Sequence, residues 1–511
     1  MLGRLFREHP RGLMVCAATE MWERFSYYGM RALLVFFLIR HLRFDDDQTF
    51  AIYGAYTALV YLAPIVGGAV ADRWLGGRKA VLFGGVLLVL GHFGLAIEGP
   101  PATVSEAGAV VRDPFYLNLF LFSLALIITG VGFLKTSTNA IVGALYGEDD
   151  PRRDAGFTYY YMLYNVGGFL APLICGWLGE RYGWRYGFGL AGIGMVAGLL
   201  VFIRGQPLLD GKAEPPSPEL LRERVFGVPR EWWIYGLGIA VVLIMGLLLV
   251  RRAVVGPLLT ISGIVVGGWV IYYALARCTP SERRRLLACA VLVVFTIGFW
   301  AFYEQMGSSL AVFSDRAVDR RVFGLEIPAS VLQAFPSLFV MVLAPAFSLL
   351  WLRLGRRGRE PSTAVKFVLA LAQLALAFLI LALGTVLTPG GQLVALGWLG
   401  LNFLLLTAGE LCLAPVGISM VSQLAPRRIV GVMMGAFLLA YSASSYLAGL
   451  IARLTSAPAD ASAVDPAAMR AMYVEVFLRL GAAAALVAVV LVICTPALNR
   501  AARSPTTPAA S

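Results

Sequence analysis

Charged residues are scarce in this sequence of 511 residues, since Asp, Glu, Lys and Arg together make up only 14% of it. Hydrophobic residues make up 59%, whereas soluble globular proteins are closer to half apolar and a quarter charged. This balance argues against a soluble chain. Apolar runs such as the one that begins at Val81 are long enough to cross the hydrocarbon core of a bilayer. Because lipid offers no partners to backbone polar groups, we expect these runs to be helices.

Histidine and cysteine are also scarce, with three and six copies respectively. The cysteines show no metal-type spacing and mostly fall in apolar runs, so we expect them to be packing residues, with no disulfides and no metal site. The spacing of His41 and Asp46 superficially fits an acyltransferase motif, but the context lacks an oxyanion-hole glycine and a nucleophile. We therefore expect no enzymatic activity, no catalytic residues and no bound cofactor.

A cleavable signal peptide is not evident, because the first apolar stretch runs past Gly29 to Ile39 without a small-residue cleavage site. By the criterion of about 20 residues per span, the sequence predicts about 14 transmembrane helices. The formal charge is +12, and the cations concentrate in alternate short loops. The positive-inside bias explains this pattern better than a nucleic-acid partner does, and it predicts that both termini are cytoplasmic.

One linker, residues 206–230, stands out because it is rich in proline and charge. It separates six predicted spans from eight, and the two spans after it contain almost no polar residues. The sequence therefore predicts four parts: an N-terminal six-helix bundle (1–205), a cytoplasmic linker with an inserted transmembrane helix pair (206–284), a C-terminal six-helix bundle (285–497) and a cytoplasmic tail (498–511). Twelve core helices in two halves, with a midplane site, is a common plan of secondary transporters.

Seven charged residues fall inside predicted spans, where a charge is costly unless it faces a partner or a cavity. Four share the first span and three are isolated in later spans: Glu20, Glu23, Arg24, Arg31, Lys135, Glu304 and Glu410. Opposite charges on the two halves suggest bridges that form and break as the halves rock, and a zwitterionic substrate could compete for them. The alternative is that they are fixed packing ion pairs.

A second polar motif, GGAVADRWLGGRKAV, lies between the second and third spans. Its small residues allow close helix approach. Asp72, Arg73 and Arg78 could bridge the loop and the helix ends at a cytoplasmic gate. The alternative is a solvated basic turn, since such loops are common on the cytoplasmic side.

These motifs resemble those of the proton-dependent oligopeptide transporter family, which belongs to the major facilitator superfamily. Glu20-x-x-Glu23-Arg24-Phe25 is similar to the family's first-helix signature, and FTYYYMLYNVGGFLAP is similar to its FYxxINxG pattern. FWAFYEQ at 299–305 and GELCLAPVGISM at 409–420 look like its segments in helices seven and ten. The resemblance runs through most of the chain.

The resemblance implies an all-α membrane protein with the major facilitator fold, two six-helix bundles plus an inserted helix pair. It implies a monomeric symporter that imports di- and tripeptides with protons across the bacterial inner membrane by alternating access. In that reading Glu20, Glu23 and Arg24 serve proton coupling with Lys135 as their partner, and Glu304 accepts a proton and bridges to Arg31. The implied peptide site consists of residues that hold the carboxylate (Arg31, Lys135), bind the amino terminus (Glu410) or line the pocket (Tyr27, Tyr28, Tyr61, Asn165, Trp300).

Three positions depart from the family's pattern. Pro336 stands where an amine-binding asparagine is usual in helix eight, Thr136 replaces a proline after the lysine, and Gly54 matches the helix-two histidine of animal members. Proton coupling would then rest on carboxylates. Other hypotheses stay open: a facilitator for an amino acid, nitrate or a drug, a polytopic membrane enzyme, or a peptide sensor, which would need an attached signalling domain.

Overall fold

The computed structural model describes residues 9–147, 150, 152–389, 392–456 and 466–502. The last nine residues of the predicted tail therefore lie outside the described part. Within it, 12 helical segments are long and apolar enough to cross a membrane. One of these segments, Asp46–Ala96, contains two helices. The first helix of the chain, Arg11–Arg40, is long enough to cross a membrane but is not apolar enough to be counted among the 12. The described residues thus account for fourteen helices of membrane-spanning length, which confirms the predicted number.

The described α-helices are α1 (Arg11–Arg40), α2 (Asp46–Val70), α3 (Gly76–Ala96), α4 (Pro114–Ala144), α5 (Arg153–Ala171), α6 (Trp177–Tyr182), α7 (Trp184–Gly205), α8 (Pro218–Arg222), α9 (Arg230–Val250), α10 (Val255–Arg277), α11 (Pro280–Tyr303), α12 (Ser309–Arg316), α13 (Phe335–Arg356), α14 (Thr363–Leu387), α15 (Leu396–Leu424), α16 (Val430–Ala452) and α17 (Pro466–Ala502). Ala71–Leu75 and Pro172–Gly176 form π-helical turns. Short 3-10 helices cover Gln206–Leu209, Arg252–Val254, Glu304–Gly307, Ala329–Ala334, Arg427–Ile429 and Arg453–Thr455.

In the described residues, strand structure is confined to pairs of two-residue strands in the segments that connect helices. Three pairs are antiparallel: β1 (Thr103–Val104) with β2 (Val110–Val111), β3 (Arg224–Val225) with β4 (Val228–Pro229), and β6 (Arg321–Val322) with β7 (Leu325–Glu326). One pair, β5 (Val318–Asp319) with β8 (Val394–Ala395), is parallel.

Side-chain caps set several helix starts. The carboxylate of Asp45 accepts the amide of Gln48 at the start of α2, which satisfies one of the orphan donors of a helix N-terminus. Thr279 and Glu282 form a reciprocal capping box at the start of α11. Pro336 lies in the first turn of α13, where the missing amide hydrogen is not needed by the helix.

Contacts divide the chain into two compact units. Unit 1 contains the described residues of Met1–Arg252 and Arg320–Leu338, and unit 2 those of Ala253–Asp319 and Phe339–Ser511. Of the predicted inserted pair, α9 packs on α4 in unit 1 and α10 packs on α16 in unit 2. This division differs from the predicted boundaries at 205 and 284, and those domain boundaries stay a prediction.

In unit 1, α1 packs against α5 and α7, while α4 packs against α2 and α3. Small residues permit the closest approaches. A Cβ on Gly67 would lie 2.4 Å from the backbone of Gly132, and one on Gly167 would lie 2.1 Å from the carbonyl oxygen of Met21. These crossings hold α2 close to α4 and α5 close to α1.

The segment 320–338 is part of unit 1 although it follows α12 in the chain. The backbone amide of Ser330 donates to Oε1 of Glu180 at 2.8 Å. The other carboxylate oxygen of Glu180 lies 2.7 Å from Nη1 of Arg40. One carboxylate thus ties this segment to the ends of α1 and α6.

Unit 2 is built around α14, which packs against α15 and α17, and around α11, which packs against α16. Large buried aromatic side chains fill this core, with Phe313, Tyr473 and Phe477 in edge and stacked contacts. The conformation of α15 stays helical through Pro415. The carboxylate of Glu410 lies one turn earlier on the same helix.

Candidate functional sites

The predicted charge cluster of α1 is present in unit 1. Nε of Arg24 lies 3.7 Å from Oε1 of Glu20 and 3.8 Å from Oε2 of Glu23. Both carboxylates are 2% exposed. Because the spacing of four residues brings Glu20 and Arg24 to one helix face, this part of the arrangement follows from the sequence. At these distances the contacts are electrostatic, and the described groups make no direct hydrogen bond between Arg24 Nε and either acid.

Glu20 has a second partner that sequence reasoning missed. Thr138 of α4 donates its hydroxyl to Oε2 of Glu20 at 2.9 Å. The hydroxyl of Tyr160 on α5 donates in turn to Thr138 at 3.4 Å. Nothing in the spacing of LKTSTN distinguishes Thr138 from the other hydroxyl residues of that segment.

Arg24 is held by aromatic rings as well as by carboxylates. Its guanidinium carbon lies 4.8 Å from the ring centre of Tyr164 and 5.7 Å from that of Tyr28. Nη1 of Arg24 also donates to the hydroxyl of Tyr28 at 3.4 Å. A cation over an aromatic face is attracted by the ring quadrupole, so Tyr164 belongs with the predicted cluster.

Arg31 lies two turns further along α1 and is 8% exposed. Its Nε donates to the hydroxyl of Tyr53 on α2 at 2.7 Å, and its guanidinium also lies 5.9 Å from the ring centre of Tyr28. Tyr27 and Tyr28 meet edge to face, with ring centres 5.5 Å apart. The predicted Tyr27, Tyr28 and Arg31 are thus neighbours, and Tyr53 is an additional one.

The remaining predicted residues of unit 1 lie on α2, α4 and α5. The ammonium nitrogen of Lys135 lies 5.5 Å from the ring centre of Tyr61, and Lys135 is close enough to Glu23 to act on it electrostatically. Nδ2 of Asn165 donates to the carbonyl oxygen of Tyr161 one turn earlier on α5 at 2.8 Å. Lys135 therefore lies in the neighbourhood of Glu23, and its predicted role as the partner in proton coupling stays a prediction.

Unit 2 contains its own cluster of an acid and aromatic residues. The hydroxyl of Tyr303 donates to Oε2 of Glu410. Trp300 packs against Tyr303 and Tyr441, with ring centres 4.9 and 4.8 Å apart. The structure thus brings the predicted Glu410 and Trp300 together through Tyr303, a residue that sequence reasoning missed.

Glu304 lies at a break in the helix. We expected it inside a continuous span, but α11 ends at Tyr303 and Glu304 opens a 3-10 turn that ends at Gly307. Ser308 follows with φ −126° and ψ −97°, outside the helical region. Glu304 is 5% exposed and belongs to unit 2, whereas Arg31 belongs to unit 1. The predicted bridge between them stays a prediction.

The predicted gate residues lie in and after the π-helical turn between α2 and α3. Asp72 and Arg73 are exposed, and the guanidinium of Arg73 lies 5.4 Å from the ring centre of Trp74. Nε of Arg78 lies 2.8 Å from Glu214 Oε1, and its backbone amide donates to Ala213. The linker therefore covers this turn.

A positive φ allows the linker to approach so closely. Gly76 has φ +69°, and a Cβ there would lie 2.5 Å from the backbone nitrogen of Pro215. Nζ of Lys79 lies 2.5 Å from Oε2 of Glu231 at the start of α9. Of the predicted gate residues, Arg78 is thus held by the linker, and the neighbouring Lys79 is held by α9.

Two helical units rich in membrane-spanning helices, with buried charges on α1 and partly buried charges on α4 and α15, are typical of membrane transporters. A family model described as the POT family matches residues 78–470. The chain therefore belongs to the POT family, the proton-dependent oligopeptide transporters. It is a multi-pass membrane transporter of this family and not an enzyme.

Named relatives agree with this assignment. The chain is 37% identical over 476 residues to the peptide transporter YePEPT of Yersinia enterocolitica, an alignment that covers 88% of each protein. It is 36% identical to the di-/tripeptide transporter of Lactococcus lactis, over 89% of this chain and 92% of the relative.

Solved structures show the same fold. A crystal structure of the peptide transporter POT in complex with sulfate superposes with a TM-score of 0.81 at 33% identity, over 96% of each chain. A POT family transporter in complex with a thioalcohol-conjugated peptide superposes with a TM-score of 0.79 at 28% identity, over 96% of this chain and 97% of the other. The predicted fold class is confirmed.

Proposed function

We propose that this protein imports di- and tripeptides together with protons across the bacterial plasma membrane, with both termini in the cytoplasm and with the monomer as the working unit. The observation that carries the coupling part is the buried cluster on α1. Two carboxylates lie within 4 Å of one arginine in a helix of membrane-spanning length. A carboxylate in such a place is a natural carrier of a proton, because protonation removes its charge.

The coupling group consists of Glu20, Glu23, Arg24 and Glu304. When Glu20 or Glu23 binds a proton, the attraction between the acids and Arg24 weakens, which changes the balance of charge around Lys135. Glu304 supplies a third carboxylate at a point where α11 is already interrupted. A helix break at a charged residue is a suitable place for movement linked to protonation.

The substrate groups are divided between opposite charges. Arg31 and Lys135 in unit 1 would bind the peptide carboxylate, and Glu410 in unit 2 would bind the amino terminus. Pocket walls would come from aromatic and amide side chains: Tyr27, Tyr28, Tyr61, Asn165 and Trp300. The cations of unit 1 and the carboxylate of unit 2 match the two opposite charges of a zwitterionic peptide.

The gate role of Asp72, Arg73 and Arg78 is part of the same proposal. Arg78 and Lys79 already bind acidic residues of the linker and of α9. In the proposed transport cycle, Arg78 and Lys79 keep these contacts while the cytoplasmic gate opens and closes.

Liposome uptake tests the proposal directly. Labelled di-alanine should accumulate in proteoliposomes when an inward proton gradient is imposed, and a protonophore should abolish the accumulation. Unlabelled dipeptides should compete, whereas amino acids, nitrate and drugs should not. Accumulation that persists with the protonophore would contradict the coupling, and competition only by another solute would support the alternative facilitator.

A further inference from the structure

We propose that Thr138 and Tyr160 form a buried hydroxyl relay that positions Glu20 and sets the pH range over which this carboxylate exchanges its proton. The inference rests on the proposed role of Glu20 in proton coupling. It adds two positioning residues, on α4 and α5, to the charges of α1.

The relay is completely enclosed by protein. Thr138 is 0% exposed, Tyr160 4% and Glu20 2%. Thr138 Oγ1 lies 2.9 Å from Glu20 Oε2, and the Tyr160 hydroxyl lies 3.4 Å from Thr138 Oγ1. Three helices thus meet at one chain of oxygen atoms. In such surroundings, water cannot replace a hydrogen-bond donor that is lost.

The hydroxyl of Thr138 has one hydrogen and three acceptors within reach. Besides Glu20, the carbonyl oxygens of Lys135 and Leu134 lie 3.1 and 3.3 Å from Oγ1. An ionised carboxylate is the strongest of these acceptors, so the hydrogen points to Glu20 when the acid is charged. Because a hydroxyl can also accept two hydrogen bonds, the Tyr160 hydroxyl can donate to the same oxygen.

Protonation of Glu20 would reverse this arrangement. The new O–H of the acid donates to Oγ1 of Thr138, and the threonine hydrogen turns to the carbonyl oxygen of Lys135. Tyr160 keeps its bond to Oγ1 in both states. Glu20 gains one proton, and no other covalent bond forms or breaks. The rotation of the Thr138 hydroxyl thereby couples the protonation of Glu20 to the backbone turn that carries Lys135.

The relay is one of several influences on Glu20. On α1 the neighbouring ionisable groups are Glu23, Arg24 and Cys16, and on α5 the group is Tyr160. Lys135 of α4 acts on Glu23, and Tyr164 of α5 lies beside Arg24. α2 adds Tyr61 beside Lys135. α7 meets α1 through glycines that pack on Phe25, Trp22 and Val15. Arg24 supplies the long-range attraction, and Thr138 supplies the one direct donor described for Glu20.

The test is the pH profile of di-alanine counterflow in proteoliposomes that contain the full chain. Thr138→Val removes the hydroxyl and keeps the shape. Because the variant lacks the hydroxyl that donates to Glu20, the pH at which counterflow activity falls to half should rise by about one unit. Thr138→Ser keeps the hydroxyl and should restore the wild-type profile.

A matched control lies on the same helix. The hydroxyl of Thr129 is buried and donates to the carbonyl oxygen of Ala125 at 3.0 Å. Thr129→Val removes the same group without touching Glu20, so its profile should coincide with that of the wild type. An equal shift in Thr129→Val would overturn the proposal, because it would trace the effect to packing of α4.

Tyr160→Phe provides a second route if Thr138→Val does not fold. It should shift the midpoint in the same direction by a smaller amount. In a Thr138→Val background it should add nothing, since Tyr160 acts through Thr138 and such coupled residues are not additive. An independent, additive shift would remove Tyr160 from the relay.

The outcomes also separate this inference from the proposed function. If an imposed proton gradient drives no accumulation of di-alanine by the wild type, proton coupling itself fails. If it does drive accumulation but wild-type counterflow does not depend on pH, coupling stands and the relay is refuted. If the wild type depends on pH, Glu20→Gln abolishes that dependence and Thr138→Val leaves the profile unchanged, then coupling stands and the relay is refuted.

Discussion

Recognition of the peptide amine by Glu410 gives the sharpest test of the substrate site. Glu410→Ala removes a carboxylate that lies in unit 2 beside Tyr303 and Trp300. A hydrogen bond between charged groups contributes about 1.5–3 kcal/mol. If the ammonium group of a dipeptide binds Glu410, its loss should weaken binding by roughly ten- to a hundredfold.

A Tyr303 variant provides a comparison for Glu410→Ala, because the Tyr303 hydroxyl donates to Glu410. Tyr303→Phe removes the hydroxyl and leaves the carboxylate, so binding should weaken by less than about tenfold. The matched ligand is the N-acetylated dipeptide, which has no ammonium group. Its affinity should hardly differ between the wild type and Glu410→Ala.

Binding isotherms of free and acetylated di-alanine, measured on the wild type and both variants, decide the matter. Equal losses for the two ligands in Glu410→Ala would refute the reasoning. That result would mean that Glu410 and Tyr303 support the packing of unit 2 without contacting the amine.

Three further predictions concern other parts of the chain. Glu304→Gln keeps the shape and removes a titratable group at the end of α11, so counterflow should survive while gradient-driven uptake is lost; loss of both at normal expression would indicate a structural role. Tyr53→Phe removes the hydroxyl that Arg31 contacts at 2.7 Å, so dipeptide affinity should fall by about tenfold or less in a binding assay. An unchanged affinity would argue against Arg31 as the ligand of the peptide carboxylate. Gly76→Ala should lower the melting temperature more than Arg78→Ala, because Gly76 has φ +69° and no room for a Cβ, whereas the partly exposed Arg78–Glu214 pair contributes about 1 kcal/mol or less. The reverse order in a thermal-shift measurement would contradict this prediction.

The sequence predicts the helices and the charges well because both follow from local rules. Spans follow from hydropathy and length, and the Glu20–Arg24 contact follows from a spacing of four on a helix. The charges of the first span are recognisable since few other charges occur in apolar segments. The α1 cluster can therefore be located from residue types and spacing alone.

Partners on other helices could not be predicted in this way. Tyr53, Tyr164 and Tyr303 each contact a predicted charge, but an aromatic residue in an apolar span looks the same whether it packs on lipid or on a guanidinium. Thr138 is one of several hydroxyl residues after Lys135, and only the rotation of α4 relative to α1 selects it. Such choices depend on tertiary packing rather than on spacing.

Two local features also could not be predicted from the sequence. Glu304 was expected within a continuous helix, and the break at Gly307 was not anticipated because a single glycine is tolerated in a helix. The contact between Arg78 and Glu214 joins residues far apart in the chain. A linker rich in proline and charge indicates exposure but does not indicate which surface it covers.

Movement of protons with the peptide is the central claim, and a pH-sensitive dye trapped inside proteoliposomes tests it most directly. With no imposed pH gradient and the membrane potential clamped at zero, addition of di-alanine outside should acidify the interior. The rate should increase with peptide concentration, and Glu20→Gln vesicles should show no acidification. Entry of labelled di-alanine into wild-type vesicles at a constant interior pH would contradict the account.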